Sequence, residues 1–185
     1  ELWDVGGIAV DIGPGLFTGM RVGIASAQAI AQVIDVSIIP VTSLDILAAA
    51  VQTGNDVITS IVDARRGEVY WSLYRMADGK LKQVGKPQIG TPEMCAVDVL
   101  DRGQSTLLVG TGALKHEDEF RERLNPVLPA LEFADDKHSM PLASTLVEIA
   151  HERALRGEWV LVDEVVPMYL RAPDAEINWA TRSAQ

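Results

Sequence analysis

Residues 19–34 read GMRVGIASAQAIAQVI, a stretch of helical character with a single charge, Arg21. No other segment restricts the fold so tightly. A helix that is apolar or small all round has no face to offer to water, so it must be covered on nearly every side. Gly19, Gly23, Ala27 and Ala31 recur every four residues, a spacing that lets another helix come close. Met20, Ile24, Ala27 and Ala31 form an adjacent stripe with Gln28 beside it. The following helix, SLDILAAAVQ, is capped by Thr42 or Ser43, stops at Gly54, and has Asp45 as its only charge. One sheet can cover one face of each helix. The other faces need a further cover, from the same chain or from another protein, and the pattern leaves both open.

The first of these helices is entered through GPGLFTG (13–19), just after a strand predicted over residues 5–12. Thr18 is the expected N-cap. Gly13, Gly15 and Gly19 come near the dinucleotide-binding spacing, and Asp35 lies 20 residues beyond Gly15. Pro14, however, lacks the N–H that such a loop donates to pyrophosphate, Phe17 is bulky where close approach is wanted, and Asp35 precedes the next strand, SIIPV (37–41), instead of ending it. A dinucleotide-binding enzyme is therefore the weakest reading. No phosphate-loop lysine follows either. As an isolated motif the segment reads as a strand-to-helix corner whose glycines supply unusual dihedrals.

Beyond residue 55 the character changes. DVITSIVDA (56–64), the turn Arg65-Arg66-Gly67-Glu68, EVYWSLYR (68–75) and an Asp78-Gly79 hairpin leading to LKQVGKPQI predict a three-stranded antiparallel meander over 56–89. In the second strand Val69, Trp71 and Leu73 should share one face, and Tyr70, Ser72 and Tyr74 the other. Thr91-Pro92 opens a helix. STLLVG (105–110) is a buried strand, followed by a charged helix near 113–124, an amphipathic helix over 141–156 that ends at Gly157, and a polar tail. Strands interleaved with helices predict an α/β fold with mixed sheets, in two lobes, 1–55 and 56–185.

Charge and composition limit the function. The net charge is −10, and residues 1–60 hold one basic residue. Such a surface repels nucleic acid at long range. The locally basic meander (Arg65, Arg66, Lys80, Lys82, Lys86) reads first as a solvated face. The single cysteine, Cys95, rules out an intramolecular disulfide and fits a reducing, cytoplasmic compartment, where it reads as a buried structural thiol. No apolar run is long enough to span a bilayer. His116, His138 and His151 make no H-x-x-x-H pair, and His116 and His151 read as solvated surface histidines. Pairing His138 with Asp136 gives too few ligands for a catalytic metal. No nucleophile-elbow pattern is present. Asp11 and Asp63 follow apolar runs, where two-lobed ATPases keep Mg-binding acids, but a carboxylate that caps a turn is the simpler account.

Four segments together resemble one family. GPGLFTGMRVGIASAQAIA (13–31) is similar to the run GPGxFTGxRxGxxxAxxLA of the TsaB (YeaZ) family. PVTSLDILA (40–48), IVDARRGEVYWSLY (61–74) and VVPMYLR (165–171) match further family segments in order. The resemblance implies a duplicated RNase H-like, actin-like (ASKHA) two-lobed fold. It also implies that such chains begin about 50 residues earlier, so that the first lobe here lacks its N-terminal strands. It implies a non-catalytic pseudoenzyme: a partner of a TsaD-like catalytic subunit and a TsaE-like ATPase in threonylcarbamoyl-adenosine formation on tRNA. The metal-dependent glycopeptidase activity once ascribed to the wider family finds no metal pair here. The resemblance further implies a homodimer when alone, contact with tRNA only through the complex, and no membrane association.

On this reading Gly13, Pro14, Gly15, Phe17, Thr18, Gly19 and Arg21 set the angle of an interface helix. Met20, Gly23, Ile24, Ala27, Gln28, Ala31, Leu44, Leu47 and Ala48 meet the partner. The chain has no cofactor of its own, and ATP or ADP with Mg is expected, if anywhere, at the partner interface, where the helix start at Thr18 favours anions. An actin-like ATPase or small-molecule kinase acting alone is the competing reading. It needs phosphate loops in both lobes, and the second offers only GTGA (110–113).

Overall fold

The computed structural model describes residues 2–171. The polar tail beyond Arg171 lies outside them. The first unit is built on two parallel strands, β1 (Ile8–Asp11) and β2 (Ile38–Val41), paired Ile8 to Ile38 through Asp11 to Val41. They are joined by α1 (Phe17–Ile34), the crossover that a parallel pair requires. α1 turns Ile24, Ala27 and Ala31 inward onto Val10, Ile38 and Val165. It ends at Asp35, whose left-handed backbone (φ 56) closes the helix.

α2 (Ser43–Ala49) follows, with the Thr42 hydroxyl accepting from the Asp45 N–H at 3.0 Å. The helix stops at Ala49, well short of Gly54.

The second unit is a six-stranded mixed sheet. β3 (Val57–Arg65), β4 (Glu68–Ala77) and β5 (Lys80–Gln83) form the expected antiparallel meander, and β6 (Gln88–Gly90) also lies against β4. β7 (Thr106–Val109) and β8 (Leu131–Phe133) extend the sheet on the other side of β3, both parallel. Asp78 and Gly79 both have positive φ, as a two-residue hairpin of the Asp-Gly kind requires.

The predicted alternation in β4 is real, but neither face is wet. Val69, Trp71 and Leu73 pack with α3 (Pro92–Leu100) and α5 (Glu117–Leu124), through Cys95, Val99, Phe120 and Leu124. Tyr74, on the other face, packs with Leu44, Leu47 and Ala48 of α2. The charged helix expected near 113–124 is two pieces, α4 (Thr111–Lys115) and α5, that meet at His116.

α6 (Ala143–Leu155) crosses back over residue 55. It packs on β1, β2 and α2. A polar network holds it there. Arg153 donates to the Pro40 carbonyl (2.7 Å) and to Asp45 (2.9 Å), and Asp45 accepts from the Tyr74 hydroxyl (2.9 Å). Residues 160–165 then run beside β2 and α1, with Val160 bridging Ile38. A cut near residue 55 thus separates the two sheets but not the polypeptide that covers them.

Candidate functional site

The end of β1 and the end of β3 face one cleft of about 1180 Å³. On the first wall, the corner after β1 is tied down by its own strand. The Asp11 carboxylate accepts from the Gly13 N–H at 2.8 Å and from the Ser43 hydroxyl at 2.7 and 2.9 Å. The Gly13 carbonyl accepts from the Ser43 N–H at 2.8 Å. Burial pushes the Asp11 carboxyl above its ordinary range, against these two hydrogen bonds that pull it down.

Gly13 has φ 91, and a Cβ there would lie 2.3 Å from the Met20 sulfur. The Gly13–Pro14 peptide is cis. So the first N–H of the corner is occupied by Asp11 and the next residue has none. Thr18 is not the cap: α1 begins at Phe17, its N-cap is Leu16, and no side chain caps it.

On the second wall Asp63 is held by Lys115, whose ammonium lies 3.0 and 2.9 Å from its two oxygens, and by the Arg65 N–H at 3.0 Å. Burial pushes this carboxyl up. The Lys115 and Arg65 contacts outweigh it and hold the group below its ordinary range. Both acids at the mouth of the cleft are thus already engaged inside the chain, Asp11 by Gly13 and Ser43 and Asp63 by Lys115 and Arg65.

The glycines of the GTGA segment have a packing role. A Cβ on Gly110 (φ 110) would lie 2.4 Å from the Ile61 carbonyl oxygen, and one on Gly112 would lie 2.7 Å from the Ile61 Cγ2. These glycines let α4 sit on β3.

The segment 165–171 links both walls. The Met168 N–H donates to the Ile12 carbonyl (2.8 Å). Gln28 of α1 donates to the Val162 and Val165 carbonyls (2.8 and 3.3 Å). Arg171 donates to the Ala64 carbonyl (2.9 Å) and to Glu68. Arg21 donates through Nε to the Tyr169 hydroxyl (2.7 Å), with its guanidinium 4.0 Å from the Phe17 ring centre.

The expected interface residues divide. Ile24, Ala27 and Ala31 lie in the core of the first unit, and Leu44, Leu47 and Ala48 lie under β3, all buried by this chain itself. Met20 and Gln28 are half-buried against the 160–168 segment, and Gly23 is exposed. The uncovered face of α1 is offset from the expected stripe. It carries Gly19, Val22, Ser26, Ala29 and Val33, flanked by Gly23 and Ile30, with Val22 60%, Ile30 47% and Val33 70% exposed. Steps of three and four residues along Gly19, Val22, Ser26, Ala29 and Val33 are the spacing of a helix-pairing seam.

His151 is exposed, and His138 lies 2.8 Å from Asp135. His116 is half-buried, with Nδ1 3.6 Å from Glu119. It sits at the α4–α5 joint, with Nε2 buried and without a partner. Its charged neighbours in sequence gave no sign of that. Cys95 is buried, and burial pushes its thiol up, away from the reactive thiolate. Among the described residues no helix is long and apolar enough to cross a membrane.

Residues 1–179 match the family described as "TsaD: tRNA N6-adenosine threonylcarbamoyltransferase". The tRNA threonylcarbamoyladenosine biosynthesis protein TsaB of Bacillus subtilis is 32% identical over 178 residues, covering 95% of this chain and 74% of that protein. The Escherichia coli protein of the same description is 29% identical over 174 residues, covering 92% and 73%. The solved structure of YeaZ from Pseudomonas aeruginosa is similar at a TM-score of 0.73 and 29% identity, covering 92% of this chain and 76% of that one.

Proposed function

This chain belongs to the TsaB (YeaZ) family, within the wider TsaD family, and from that we propose that it is the non-catalytic scaffold and activator in forming N6-threonylcarbamoyladenosine next to the tRNA anticodon. In this reading it pairs with a TsaD-like catalytic subunit through the outer face of α1 and works beside a TsaE-like ATPase. Alone, it pairs with a second copy. It meets tRNA in the cytoplasm only through the complex, as a net charge of −10 favours.

The observation that carries the reading is the uncovered seam on α1, which exposes three branched apolar side chains on a helix without a charge along that face. Surfaces of this kind mark interaction sites. A stable pairing buries roughly 1,200–2,000 Å² in total, so exposed neighbours such as Leu16 take part. Residues 13–19 serve this role by fixing where α1 leaves β1. ATP or ADP with its magnesium is then a ligand shared with the partner, with the engaged acids Asp11 and Asp63 in support.

The test is reconstituted threonylcarbamoyl transfer to tRNA, with the TsaD-like and TsaE-like proteins of the same organism, with and without this protein. The proposal expects no transfer and no ATP turnover from this protein alone, and transfer that depends on adding it. ATP hydrolysis by the protein alone, or transfer that does not need it, overturns the proposal.

A further inference from the structure

Along α1 the only group that can carry charge information to a partner is Arg21, the one basic residue among residues 1–60. It stands at the edge of the uncovered seam, one residue before Val22, and it is exposed. It is also held in place. Its Nε donates to the Tyr169 hydroxyl at 2.7 Å, and its guanidinium lies 4.0 Å from the Phe17 ring centre and 5.6 Å from that of Tyr169. The two rings are themselves 5.6 Å apart.

Most arginines of the described chain have a carboxylate. Arg65 meets Asp63, Arg102 meets Asp98, Arg121 meets Glu117, Arg123 meets Glu93, Arg153 meets Asp45 and Arg171 meets Glu68. Among the described residues no carboxylate pairs with Arg21. The fold thus presents a pre-ordered cation, with the Phe17 ring against the guanidinium and the Tyr169 hydroxyl on its Nε–H, next to an apolar helix face.

A partner seated on that face takes water from the remaining guanidinium N–H groups. Covering an arginine without an acceptor is strongly unfavourable, and a planar guanidinium is best met by a carboxylate that takes two parallel hydrogen bonds. We infer that the subunit seated on α1 presents a carboxylate to Arg21, which makes Arg21 the specificity-determining residue of this surface. Phe17 and Tyr169 are its positioning residues. The inference rests on the proposed reading of the α1 seam as a protein interface. It adds the chemistry of the partner: an apolar helix surface with an acidic side chain at one edge.

Calorimetric titration of the full protein with the TsaD-like subunit of its organism, at low and moderate salt, tests this. Arg21→Met keeps the apolar stem and removes the charge, Arg21→Glu reverses it, and Val33→Asp breaks the seam. The inference expects Arg21→Met to weaken binding by about thirtyfold or more and to flatten its salt dependence. Arg21→Glu should weaken it further and be rescued by an acid-to-lysine change on the partner. Tyr169→Phe, which frees the guanidinium but leaves its charge, should weaken it less. If Val33→Asp abolishes binding while Arg21→Met leaves affinity and salt dependence unchanged, the inference falls and the interface stands. If Val33→Asp is also without effect, the reading of α1 as an interface falls with it.

Discussion

Alanine at Gly110 separates a packing glycine from a ligand-binding one. Gly110 holds φ 110 and ψ 172, a region essentially reserved for glycine. Forcing a side chain into such a conformation costs about 1–3 kcal/mol. The added Cβ would also lie 2.4 Å from the Ile61 carbonyl oxygen, 3.2 Å from its carbon and 3.0 Å from a Leu47 methyl. The closest neighbour is backbone in the middle of β3, so relief requires α4 to lift from the sheet, an overpacking cost of about 1–3 kcal/mol. The expected loss is about 2–6 kcal/mol from a total of about 5–15.

Gly67 provides the control. Its φ is 77, and nothing lies within 4 Å of a Cβ there. Gly67→Ala should cost about 1 kcal/mol, from strain alone. In urea, with a slope near 2 kcal/mol per molar, the midpoints of the two variants should differ by about 0.5–2.5 M. Equal losses would refute the steric argument.

Tyr74→Phe removes the hydroxyl that donates to Asp45 and should destabilise the protein by about 1.5–3 kcal/mol, read from urea unfolding. Arg153 stays on Asp45 in that variant, so α6 should remain docked and the far-ultraviolet spectrum unchanged. Acid titration should separate the two cleft carboxylates. Asp63 is held below its ordinary range, so its share of stability is complete above that range and is lost as the pH falls through the folded value. Asp63→Asn should therefore flatten the acid limb of stability. Asp11 is pushed up by burial, so its share is present at acid pH and is lost as the pH rises through the raised value. Asp11→Asn should steepen the same limb, and a change of equal sign in both variants contradicts the assignment.

Local chemistry was legible wherever one side chain decides the geometry. Of the two candidates Thr42 and Ser43, Thr42 caps α2, and α3 opens at Thr91-Pro92 as expected, with threonine hydroxyls that accept from the Asp45 and Met94 N–H groups. Asp78-Gly79 makes its hairpin. Thr18 is not the cap because α1 begins two residues earlier than the pattern predicts, at Phe17, after the corner that Asp11 holds. The two-faced alternation of β4 was visible, yet which layers cover its two faces depends on α2, α3 and α5, distant in sequence.

Which face of α1 is covered by its own chain is hard to read from its composition. Periodicity locates the outer face of a helix by its charges, and α1 has one. The stripe of Ile24, Ala27 and Ala31 looks as fit for a surface contact as for a core, and the structure places it in the core of the first unit. The exposed stripe could be read only once β1, β2 and Val165 had claimed the other side. Contacts made by residues 160–171 with both walls of the cleft were likewise invisible, because they join segments more than 100 residues apart.

The most direct measurement is sizing chromatography with light scattering, on the full-length protein alone and mixed with the TsaD-like protein of its own organism. The account predicts a dimer alone and a stable one-to-one or larger complex in the mixture, both lost in Val33→Asp. A monomer that forms no complex would contradict it.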